Sequence, residues 1–387
     1  MAMVPLEAVG VRDAAGALEP ASSSRLALLR HLIAQFERDL EPRARLALPS
    51  ALAALVDGLP EGARDAGREG AAWALLESLS ERRDQRAEYP AVAALALGFL
   101  GRPTGAPVDL AIDEALENLA REARAGTRER ARLAMGRVAG SPGERARAEA
   151  LGRRLIDHAQ RDSGGDRVFA LVGLGLAARG LERRGETLPT TWEEALLAQL
   201  SDARDGEAAV AAGWALSIAG VASAGPRLVA EYEDLPAGSL RGMAALSLGL
   251  LGVRDAGPSL LANLEHGAAD ARVVWGTGVG LELLGAGGAS AAWIEALGDE
   301  PSGQRAASAA AALGESSSPR AQELLTSWLA DRSGAEAARA AAALALGRYV
   351  DGRDVPLEDL VEPFVCHEAL PLSLLALTDP SSLARMY

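Results

Sequence analysis

The sequence predicts an all-α chain built as an α-solenoid, a stack of about eight helical hairpins with helical caps. Three observations carry this. A four-slot pattern recurs eight times between Pro90 and Gly347. Sustained Val/Ile/Thr alternation bounded by turn residues, the mark of strands, is not found. Aromatic residues make up only 4% of the 387 residues while Ala, Leu and Gly abound, a composition that suits helices packed through small side chains. Self-similarity at a period of this length marks units that cannot bury their apolar faces alone and stack to do so.

Each unit has a start residue, a small residue at plus three, an aliphatic residue at plus seven and a glycine at plus eight. The starts are Pro90, Arg128, Arg167, Ala209, Arg241, Arg272, Ala306 and Arg339. Plus three is alanine except at Trp275, plus seven is Leu, Met or Val, and plus eight is glycine except at Ser217. Plus three and plus seven are four residues apart and share one helix face. Alanine there lets a paired helix come close, and the aliphatic side chain fills the seam. An interior glycine costs about 1 kcal/mol against alanine, so its recurrence implies a packing need or a turn. Arginine opens five of the units. It reads either as an ion-paired residue stitching neighbouring repeats or as a ladder offered to an acidic ligand.

In chain order, residues 1–20 mix Gly, Pro and Ala and read as a flexible lead. Residues 21–89 read as an N-terminal helical cap. Ser22, Ser23 and Ser24 can cap a helix with Leu26, Leu29, Ile33 and Phe36 on one face. Further helices are expected at 46–56 and 71–79, around a loop at 57–70 broken by Gly58, Pro60, Gly62, Gly67 and Gly70. The array occupies 90–350. A second helix precedes most slot helices, at 112–124, 147–159, 192–200, 226–234, 258–265, 289–297 and 319–330. Pro226, Pro258 and Pro319 open three of these, where a missing N–H costs nothing. Plus-eight positions are 38, 39 and 42 residues apart in the first half and 32, 31, 34 and 33 in the second, so the insertions gather N-terminally. Residues 351–387, with Pro363, Pro371 and Pro380, read as a C-terminal cap and tail.

Strings such as Arg241-Gly-Met-Ala-Ala-Leu-Ser-Leu-Gly249 and Arg339-Ala-Ala-Ala-Ala-Leu-Ala-Leu-Gly347 resemble HEAT repeats, especially the short class named after bilin lyases. The resemblance covers roughly 90–350. It implies antiparallel helix pairs in a right-handed superhelix, the second helix of each pair lining the concave side, and a scaffold or adaptor role. Trp275 and Ser217 depart from the pattern.

Composition excludes several chemistries. All 39 basic residues are arginine. A phosphate-binding P-loop and Schiff-base catalysis both need a lysine. A net charge of −14 opposes nucleic-acid binding, which needs a basic stripe. The Arg-rich stretches 121–132 and 145–154 are interleaved with Glu122, Glu129, Glu144 and Glu149 and read as solvated, ion-paired faces. The uncharged stretch 208–226 is interrupted by glycines and reads as a buried helix, not a membrane span. No signal-peptide pattern precedes the array. A cytoplasmic protein is expected.

Residue constellations add little chemistry. A single cysteine, Cys366, gives neither an intramolecular disulfide nor a thiolate cluster. Iron-binding hydroxylases built from related repeats use several His-Glu pairs, whereas only His367-Glu368 has that order here. Adjacent Cys366, His367 and Glu368 diverge on a helix and cannot form a triad. The glycines at 276, 278 and 280 imitate a dinucleotide fingerprint without a strand–turn–helix setting. No catalytic residue, cofactor or metal is therefore expected. The expected activity is non-catalytic binding of a protein partner, alone or within a larger assembly, through a concave surface. An enzyme or enzyme accessory of the bilin-lyase-like or metal-dependent type is the alternative. Aromatics and arginine are the favoured anchors at interfaces, which singles out Trp275, Arg241, Arg272 and Arg339.

Overall fold

A computed structural model describes residues 21–35, 42–80, 88–122, 124–201, 205–235, 239–267, 271–285, 309–310, 313, 319–331 and 336–351. Among the described residues every regular element is helical. The helices are α1 (Ala21–Gln35), α2 (Pro42–Asp57), α3 (Glu61–Ser80), α4 (Tyr89–Leu100), α5 (Pro107–Leu119), α6 (Ala125–Gly140), α7 (Arg145–Arg161) and α8 (Gly165–Arg183). They continue with α9 (Thr190–Leu200), α10 (Gly206–Ile218), α11 (Gly225–Asp234), α12 (Ser239–Leu251), α13 (Gly257–Gly267), α14 (Ala271–Leu283), α15 (Pro319–Ala330) and α16 (Glu336–Asp351). None is long and apolar enough to cross a membrane.

The chain divides into two compact units, residues 1–151 and 152–387, with the division inside α7. In the first, the slot helix α4 packs between α2 and α6, with α3 and α5 alongside. In the second, the slot helices α8, α10, α12 and α14 pack each against the next, while α9, α11 and α13 lie against α10, α12 and α14. Helices α15 and α16 pair around Ala310, Leu313, Ala321, Leu325, Ala342 and Ala345, with Trp328 against them. The expected helix at 289–297 and the tail at 352–387 lie outside the described residues.

The plus-eight glycine is where slot helices meet backbone to backbone. A Cβ at Gly98 would lie 2.8 Å from the Cα of Ala134 on α6, and one at Gly175 would lie 2.6 Å from the Cα of Ala215 on α10. A Cβ at Gly249 would lie 2.5 Å from the Cα of Gly280 on α14. Real side chains do not occupy such distances, so the glycine is a packing requirement. The exception, Ser217, is buried and donates its hydroxyl to the Gly213 carbonyl four residues back at 2.8 Å, which satisfies the polar atom inside the helix.

The connections after α10 and α12 share one sequence, Gly220-Val-Ala-Ser-Ala-Gly-Pro226 and Gly252-Val-Arg-Asp-Ala-Gly-Pro258. They also share one geometry. Gly220 and Gly252 take φ of 67° and 74°, in the left-handed region open to glycine. The N–H of Gly220 donates to Ser217 and that of Val221 to Leu216, and Gly252 and Val253 do the same toward Gly249 and Leu248. This paired closure satisfies the last carbonyls of each helix. A single 3-10 turn then leads into the next helix at Gly225 or Gly257.

Several expected boundaries move. The loop expected at 57–70 shrinks to three residues, because α3 begins at Glu61 and runs through Gly62, Gly67 and Gly70. Gly67 is a packing glycine: a Cβ there would press on the side chains of Leu59 and Leu29. Helix α5 starts at Pro107, five residues before the expected 112, because proline is preorganised for the first turn and Asp109 follows it there.

Two glycines of the first unit offer a matched test. Gly98→Ala should destabilise the protein by about 1–3 kcal/mol, because the backbone of α6 must move. Gly62→Ala, in exposed helix with nothing within 4 Å of the added methyl, should instead stabilise by about 0.5–1 kcal/mol. Urea unfolding midpoints of the two variants check this, and equal effects would remove the packing account.

Candidate functional site

Three of the arginines at the unit starts, Arg128, Arg167 and Arg241, reach back to the segment that precedes them. Arg128 Nη1 donates to the Glu122 carbonyl at 2.9 Å, just beyond α5. Arg167 Nε donates to the Asp162 carbonyl at 3.0 Å, just beyond α7. Arg241 Nη2 donates to the carbonyls of Glu233, at 3.1 Å, and Leu235, at the end of α11. The last carbonyls of a helix lack partners within it and carry the negative end of its dipole, so a cation there is stabilising.

Arg167 extends this into a staple within the second compact unit. Its Nη1 also pairs with Asp205 Oδ2 at 3.2 Å, and Asp205 Oδ1 accepts the Ala208 N–H at 3.0 Å as the N-cap of α10. One guanidinium thus ties the end of α7 to the head of α10, which is the stitching reading of the start arginine. The guanidinium of Arg241 lies 5.7 Å from the centre of the Tyr232 ring.

The remaining interface candidates are distributed along the later helices. Arg272 and Trp275 fall on α14, and their side chains lie outside the described residues. Gly276, next to Trp275, is where the backbone of α14 closes on Gly242 of α12. Arg339 is partly buried in the first turns of α16. Arg241 and Arg272 head adjacent, directly packed helices.

Slot helices expose little of themselves. All of 208–218 on α10 and 242–249 on α12 are buried. Plus two, plus five and plus nine share a face, and at the first two positions Phe169 and Val172, Trp214, and Met243 and Leu246 are all buried. A helix apolar and covered all round is core. This row surfaces mainly at plus nine, where Phe99 is 38% exposed and Arg137, Leu176 and Leu250 are partly exposed. Arg137 lies 3.4 Å from the centre of the Phe99 ring.

In the first unit, part of the stretch 121–132 that the sequence reads as solvated is buried. Glu129, Arg130 and Arg132 on α6 are all buried. Arg132 Nη2 donates to the Ala120 carbonyl at 3.4 Å and Arg130 Nη1 to Gly126 at 3.2 Å. Arg68 on α3 donates to the Leu100 carbonyl at 2.9 Å and pairs with Asp109 at 2.6 Å, the Asp109 side chain being 1% exposed. Asp109 also accepts the Arg102 N–H at 3.1 Å and the Thr104 hydroxyl. Interleaved charges look solvated when scanned alone. Here α6 is a slot helix packed against α4 and α5, which buries Glu129, Arg130 and Arg132.

Other chemistry-bearing residues do not converge. His31 is exposed, and His158 pairs with Asp162 at 3.4 Å. No group of three or more His, Cys, Asp or Glu suited to a metal forms among the described residues. Gly276, Gly278 and Gly280 sit within α14, without the turn a dinucleotide needs. Cys366, His367 and Glu368 lie outside the described residues. No protein-family model matches the sequence, and no curated protein matches it either.

Two measurements probe the polar contacts. Arg167→Ala should cost about 1–3 kcal/mol, the range for hydrogen bonds to charged groups. A double-mutant cycle with Asp205→Asn in urea should return a clear coupling between the two positions, and strict additivity would contradict the staple. Burial pushes the Tyr232 hydroxyl up to about 12, against an ordinary value of 10. The folded state therefore holds this proton more tightly than the unfolded chain. Its contribution is complete below pH 10 and is lost as pH rises from 10 to about 12. Tyr232→Phe should flatten that part of the stability profile, followed by urea midpoints across the window.

Proposed function

We propose that this chain is a cytoplasmic, right-handed HEAT-like α-solenoid that serves as a non-catalytic scaffold or adaptor for a protein partner. The observation that carries this reading is the reuse of one packing rule. The same slots bring α4 to α6, α8 to α10 and α12 to α14, and the glycines at those contacts permit backbone approach. Quasi-identical neighbour contacts are how solenoids grow, and extended binding surfaces are what such arrays offer.

On this reading the concave surface is narrow. Slot helices spend most of their area on one another, so partner contact concentrates where the plus-nine row surfaces and at the break in the alanine slot, Trp275. Arg272 and Arg339 are the accompanying cationic candidates. Arg241 is held by backbone carbonyls and Tyr232 and would act by shaping the surface beside it.

Affinity capture on the tagged chain from its native cell, read by quantitative mass spectrometry, tests the proposal. A saturable, stoichiometric protein partner is expected, and its absence would overturn the scaffold reading. Trp275→Ala should weaken capture about tenfold or more while leaving the helical circular dichroism unchanged, as truncation of an aromatic anchor does. Undiminished capture by the folded variant would remove Trp275 from the surface.

A further inference from the structure

We draw no further inference here: the strongest candidate, the exposed Phe99 ring stacked by Arg137 between α4 and α6, belongs to the surface already proposed, and nothing in the structure shows what covers it.

Discussion

The packing of α4 on α6, α8 on α10 and α12 on α14 depends on how closely two helix backbones can approach at the plus-eight position. With glycine there, the Cα of Ala134 or Ala215 sits where a methyl group would otherwise be. That closeness lets small residues fill a core that has few aromatics to fill it. Dispersion falls off steeply with separation, so an Ala- and Gly-rich interior is cohesive only when the gap is closed. Glycine's entropic cost in a helix is offset by the contacts that alanines on the facing helix gain.

Close approach of the slot helices leaves polar groups to be satisfied at their margins, and arginine does much of that. Its guanidinium has five donors in a fixed fork, which is how Arg167 serves a backbone carbonyl and a carboxylate together. The same residue type also enters the interior, in the Arg68–Asp109 pair and the buried arginines of α6. A buried ion pair is an uncertain source of net stability, yet removal of one member leaves a charge stranded.

Much of the architecture was legible in the sequence because the slots are periodic and periodicity survives without coordinates. The slot helices fall where the pattern places them from α4 to α14, and α15 begins at Pro319 as its proline implies. Glycine misled where its role depends on a distant neighbour. Gly67 looks like a breaker in a run of glycines, but it faces Leu29 and Leu59 from within a helix. Charge misled on α6 for the same reason, since burial of Glu129 and Arg132 is decided by which helices surround them. Arg167 was legible as a stitching residue, whereas its target carbonyl was not, because a helix end is set by hydrogen bonds. The repeated Gly-Val-x-x-Ala-Gly-Pro string announces two turns of the same geometry.

That repeated turn has an evolutionary consequence. The 32 residues from Gly220 to Leu251 begin with one copy of the string and stop just before the next. Duplicating or deleting this stretch would leave each junction with the same Gly-Val entry and the same left-handed residue at its apex. Chain length could then change by this one module without inventing a new connection.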